Sequence, residues 1–182
     1  MFKQTKEAIK EQKKTRPKIE TFASEYLDGT LKDNVLEFIA DLREMKMNPS
    51  YAGILNAWTL SHTGKLLARI QFYNDECKWV NKRTWSVSLY LNNLHMYEDV
   101  IISEGIQNVL WDNIRGYCTD GCKSTKAPIR PCHPGKTLTL AGKEFKRVCV
   151  CYPHIWIWDA DKAMLSNIKR LLELEKQARV AK

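Results

Sequence analysis

With 182 residues, a net charge of +8 and six tryptophans, seven tyrosines and five phenylalanines, the chain is long enough for one ordinary domain with a real core and too short for two large ones. Near-average hydrophobic (44%) and charged (27%) contents exclude a disordered chain. No stretch approaches the roughly 20 apolar residues of a bilayer-spanning helix, and the opening segment MFKQTKEAIKEQKK lacks the apolar centre of a signal peptide, so the expectation is a soluble, cytoplasmic protein with no membrane partner.

The positive charge is concentrated. Residues 1–19 hold seven basic and two acidic side chains, residues 118–147 again seven and two, and residues 20–117 nine and thirteen. Residues 1–18 therefore read as a basic N-terminal arm, loosely docked because Lys3 to Lys14 is helix-permissive but has little apolar surface to bury before Pro17. Residues 19–182 read as a single domain. Ile19, Phe22 and Tyr26 have helical spacing and stop at Asp28-Gly29. A second helix carries Val35, Leu36, Ile39 and Leu42 on one face, with Thr30 or Asp33 as its cap and Asn48-Pro49 as its stop.

The period then changes from helical to alternating. Ala57–His62 and Leu66–Tyr73 flank Thr63-Gly64 as a tight hairpin, and Trp85, Val87, Leu89 and Leu91 alternate with polar residues, which predicts one face in a core and the other toward water or a cleft. Residues 98–114 return to helical spacing, with Ile101, Val109, Leu110 and Ile114 on the apolar side. Residues 117–136 form a Cys-rich loop with Gly and Pro and little apolar periodicity. A hairpin about Ala141-Gly142, a short strand Ile155–Trp158 and a final helix capped by Asp159 or Asp161, with Ala163, Met164, Ile168, Leu171 and Leu172 in one stripe, complete the chain. Strand runs joined by short turns, with helices before, between and after them, predict an α+β fold: an antiparallel sheet of about five strands with helices packed on it.

Five of the six cysteines fall between residues 118 and 151. In an intracellular chain such a cluster points to metal or redox chemistry rather than disulfides. Zinc takes four soft ligands at tetrahedral corners, sulfur at roughly 2.3 Å, commonly as a close pair on a turn plus others from a neighbouring element. The expected set is Cys118, Cys122, Cys132 and Cys149, with His133, Cys151 or His154 as substitutes. A site closed by four protein ligands is structural and has no open position for a reacting water. The alternatives are that Cys149 and Cys151, at strand spacing, are small core residues, or that the seven surrounding cations of residues 118–147 favour a reactive thiolate.

The segment Ala57-Trp-Thr-Leu-Ser-His-Thr-Gly-Lys-Leu-Leu-Ala, after a helix ending at Leu42 to Met47 and the Asn48-Pro49 stop, resembles small bacterial proteins called YdhG-like. Cys132-His-Pro-Gly and Gly142-Lys-Glu-Phe-Lys-Arg-Val-Cys149 are similar to a cysteine-rich branch of uncharacterised proteins from anaerobic Firmicutes. The resemblance spans roughly residues 30 to 175; it implies an α+β fold and a bacterial cytoplasm, and brings no catalytic residues.

No serine elbow, His-rich metal motif or phosphate-binding glycine loop is present, and Gly142-Lys143 lacks the flanking glycine and hydroxyl residue that nucleotide hydrolysis requires. Catalysis is therefore not expected, and a thiol enzyme built on Cys151 and His154 is only a remote alternative, since residues three apart on an extended segment diverge. Trp58, Trp85, Trp156 and Trp158 fall on or beside predicted strands, and with Tyr90 they form the candidate ligand-binding set. Against plain core packing stands a pocket for a partly aromatic or cationic small molecule, with His62 and Glu104 as further polar groups. The leading expectation is a small-molecule or partner binding module stabilised by structural zinc. The alternative is a nucleic-acid-associated zinc protein using the basic arm and loop.

Overall fold

The computed structural model describes residues 3–73, 83–114, 136–148 and 155–180. The chain opens with three helices, α1 (Lys3–Thr15), α2 (Ile19–Tyr26) and α3 (Gly29–Glu44). The arm is more firmly held than its composition predicts. The Gln12 side chain donates to Asn56 Oδ1 (2.6 Å) and accepts from the Asn56 backbone N–H (2.9 Å), while Asn56 Nδ2 donates to the Tyr26 hydroxyl (3.0 Å). A single polar residue thus docks a helix that has little apolar surface of its own. The cap of α3 also differs from expectation: Asp28 holds the N-cap position, without a side-chain bond, because the chain turns at Gly29 (φ 52°) and begins the helix before Thr30 or Asp33.

Strands β1 (Ser50–Tyr51), β2 (Ala57–His62), β3 (Lys65–Phe72), β4 (Trp85–Leu89) and β7 (Ile155–Trp158) form one five-stranded sheet in the order β1-β2-β3-β4-β7, antiparallel throughout. The α+β class expected from the alternation of periods is the class observed. Thr63 (φ 50°) and Gly64 (φ 74°) both lie in the left-handed region, the geometry of a type I′ hairpin turn whose twist matches that of the strands. A register shift opposite Leu60 and Ser61 leaves Leu67 unpaired in β3, so that Leu67 and Ala68 are both fully buried.

One face of this sheet is the core. Trp58, Ile70, Val87 and Ile157 are mutual partners across four strands, flanked by Leu60, Ala68, Leu89 and Ile155 on one side and Phe72 and Trp85 on the other. All are buried, in one cluster with residues of α2, α3 and the C-terminal helix α6 (Lys162–Val180). Phe22 of α2 lies 5.0 Å from the Trp58 ring, and Trp58, Phe72 and Trp85 continue the aromatic contact along the sheet at 5.9 and 6.4 Å. Strand β4 departs from its alternating pattern. Ser86 and Ser88, on the outer face, are only 2% and 7% exposed, so the strand is buried on both sides rather than half-solvated.

The expected helix over residues 98–114 is broken into α4 (Glu98–Ser103) and α5 (Gln107–Asp112) by Gly105, whose φ of 71° no continuing helix accommodates. Strands β5 (Lys136–Leu140) and β6 (Lys143–Val148) form a separate hairpin about Ala141 and Gly142. It is tied to α4 and α5 by the Trp111 indole, which donates to the Leu140 carbonyl (2.9 Å), and by Glu98, which accepts from the Ala141 N–H. Asp161 caps α6 by accepting from the Met164 N–H (2.8 Å). At the other end of α6, buried Glu175 accepts from the backbone N–H groups of Asn92 and Asn93, the Asn93 amide, the Tyr97 hydroxyl and Arg179 Nε. Arg179 in turn donates to the carbonyls of Lys65, Leu66 and Tyr90. Among the described residues no helix is long and apolar enough to cross a membrane.

Candidate ligand site on the outer face of the sheet

The strand register separates the five aromatic residues expected to bind ligand. Trp58 and Trp85 point into the core, 1% and 0% exposed. Trp58 donates to the Pro17 carbonyl (3.0 Å), fixing the link between α1 and α2, and the Trp85 indole N–H is buried with no hydrogen-bond partner. Neither shares a wall with Trp156 and Trp158, which alternate to the opposite face. Tyr90 lies just past β4; its N–H donates to the Leu67 carbonyl (2.8 Å) and its carbonyl accepts from Arg179, so its backbone closes one end of the sheet. His62 and Glu104 are not brought to this face either: His62 is the cross-strand partner of Lys65 at the hairpin end, and Glu104 follows α4 and pairs with Arg170 (2.6 Å). That pairing lowers the Glu104 pKa.

The outer face has its own chemistry. Trp156 and Trp158, two apart on β7, stack at 4.8 Å with 19° between their planes. Tyr73 lies 5.4 Å from Trp158 and shares a hydrogen bond with the Ser86 hydroxyl (3.0 Å), while the exposed Arg83 guanidinium sits 5.3 Å over the Trp158 ring. Across the sheet, Trp156 pairs with Ser88, Ser88 with Arg69 and Arg69 with Thr59; one row further, Trp158 pairs with Ser86, Ser86 with Gln71 and Gln71 with Ala57. Two small hydroxyl side chains thus separate a wall of indoles from Arg69 and Gln71, roughly 10 Å away at two strand spacings. Gln71 is engaged with the Leu55 carbonyl (3.2 Å), whereas the Arg69 Nε is shielded from solvent and has no hydrogen-bond partner among the described residues.

Ser86 and Ser88 are buried, so the groups of this face that a flat anionic molecule can reach are the half-buried Trp156, Trp158 and Arg69 and the exposed Arg83, by stacking and by charge. The described residues of these rows include no carboxylate, so the charge of the face favours an anion over the cation expected from the tryptophans alone. Arg69, Tyr73 and Arg83 were not among the expected site residues. Arg69 was visible in principle as the lone charge inside the apolar run Leu66 to Phe72, at the parity opposite Ala68 and Ile70. Tyr73 and Arg83 carry no such signal, since only the pairing of β3, β4 and β7 brings them beside Trp158.

The expected zinc ligands Cys118, Cys122, Cys132 and Cys149, and the substitutes His133, Cys151 and His154, lie outside the described residues, as does most of the Cys-rich loop. Among the described residues no group of three or more His, Cys, Asp or Glu side chains is placed to hold a metal ion. No family model, curated protein or solved structure matches the chain.

Proposed function

We propose that this chain is a non-catalytic binding module whose ligand is a small planar anion held on the outer face of the five-stranded sheet. The observation that carries this reading is the stacked Trp156 and Trp158 pair facing half-buried Arg69 across Ser86 and Ser88, with the exposed Arg83 guanidinium over the Trp158 ring. The ligand class follows from the two guanidinium groups and the aromatic wall: an aromatic carboxylate or sulfonate rather than an ammonium compound.

Saturation-transfer NMR against a panel of aromatic carboxylates and sulfonates, followed by titration of the best binder, tests the assignment. Trp158→Ala is expected to weaken that binder about tenfold, the scale of one lost stacking contact, and Arg69→Gln to abolish its preference over the corresponding neutral amide. Unchanged affinity in a folded Trp158→Ala protein would overturn it. A structural zinc at Cys118, Cys122, Cys132 and Cys149 belongs to the same reading, on the strength of ligand spacing and thiol chemistry.

A further inference from the structure

A second surface carries a ligand chemistry of its own, independent of the outer sheet face. Between the end of α1 and the edge strand β1 lies a cleft of about 660 Å³, lined by Lys13, Arg16, Lys18 and Arg43 with Ser50 and Tyr51. Its size is that of a site for a nucleotide-sized molecule rather than a single small ion. Arg43 is neutralised by Glu20 (2.6 Å), but Lys13, Arg16 and Lys18 form no salt bridge with any described carboxylate. Among the described residues, the cleft thus presents three cations without a salt bridge.

One of these cations occupies a position that local stability disfavours. Lys18 is the N-cap of α2 and makes no capping hydrogen bond; a cation there opposes the positive end of the helix dipole, where Ser, Thr, Asp or Asn would stabilise. Such a break of a local rule is expected at functional or strained positions. Arg16 ends α1 in the left-handed conformation of a helix C-cap (φ 47°), its N–H donating to the Gln12 carbonyl (2.9 Å). At the cleft wall the Tyr51 hydroxyl is shielded from solvent and has no hydrogen-bond partner, while its ring meets Trp58 edge-on at 6.1 Å.

We propose that this cleft binds a phosphate-bearing ligand of nucleotide size, with Lys13, Arg16 and Lys18 neutralising its phosphate oxygens. Phosphates of this kind occur both in free phosphorylated compounds and along a single nucleic-acid strand. Isothermal titration with tripolyphosphate and with a thymidine decamer distinguishes the two sources.

The variant Lys13→Gln/Arg16→Gln/Lys18→Gln alters three exposed side chains and is expected to weaken the tighter probe at least about tenfold. The control Lys6→Gln/Lys10→Gln/Lys14→Gln, which removes the same charge from α1 outside the cleft, is expected to stay within about twofold. Tighter binding of tripolyphosphate identifies a free phosphorylated compound. Tighter binding of the decamer, weakening roughly twentyfold between 50 and 200 mM salt for three phosphate contacts, identifies a nucleic-acid strand. Failure of both probes to bind below millimolar concentration, or equal losses in the two triple variants, would overturn the proposal. None of these outcomes bears on the outer sheet face.

Discussion

Glu175 is the carboxylate on which the C-terminal helix turns. It is wholly buried, paired with Arg179 at 2.8 Å, and supplied with donors by Asn92, Asn93 and Tyr97. A buried ion pair of this kind adds little over an apolar pair of the same shape, but removing one partner strands the other charge at a cost of about 3–5 kcal/mol. Tyr97 shows the network's effect on titration. Burial, then the Glu175 charge and the hydrogen bond to it, hold the phenol far above its ordinary range. The folded state therefore keeps Tyr97 neutral while the unfolded chain ionises near pH 10. The sign follows from linkage: the Tyr97 contribution is complete below about pH 10 and is lost as pH rises further, because the unfolded state then releases a proton the folded state retains. Tyr97→Phe is expected to destabilise the protein by about 1.5–3 kcal/mol at pH 8, the range for a hydrogen bond to a charged group. The gap between variant and wild type in urea midpoints should then narrow from pH 10 to 11. A gap that stays constant over that interval would count against the linkage.

At the scale of elements, the two hairpins show how turn chemistry and strand twist work together. Thr63 is a β-branched residue in the left-handed region (φ 50°) and is exposed, so its conformational cost is not repaid by packing. Thr63→Asn supplies the residue preferred at that position before glycine and is expected to stabilise by about 1 kcal/mol, a rise in Tm of roughly 2–4 °C for a chain of this length, read by calorimetry. Both hairpins, the last strand and the last helix were legible because each carries its own period and its own turn residues. Strand β1 was not, since two residues cannot establish a period and Ser50 and Tyr51 are strand only through pairing with Thr59 and Trp58. The split between α4 and α5 was hidden for the opposite reason: the apolar spacing of Ile101, Val109 and Leu110 runs on past Gly105 as though the backbone did. The second buried face of β4 was hidden by its serines, whose polarity reads as exposure when a strand is taken alone.

Across the whole molecule, the sheet sorts side chains that sequence spacing had grouped. Trp58 and Trp85 belong with α2, α3 and α6 in the core, and Trp156 and Trp158 with Arg69 on the outer face; an alternating pattern says which residues of one strand share a face but not which faces of different strands coincide. The basic cleft draws on residues 13 to 58 and depends on the docking of α1 through Gln12 and Asn56, a long-range contact with no local signal. The cysteines pose the converse problem, since their spacing is informative and their ligand geometry lies outside the described residues. Residues 117–136 combine glycine and proline with few apolar positions, so a metal there would contribute folding energy that side-chain burial cannot. Protein purified without chelator or a metal-bearing affinity tag is expected to contain one zinc per chain by elemental mass spectrometry, with about four of the six thiols protected until denaturation. Chelation should expose those four thiols to alkylation and lower Tm. Metal-free protein with six equally slow thiols would reduce the cysteines to packing residues, whereas metal-free protein with one fast thiol would redirect the search to a thiolate nucleophile in that basic segment.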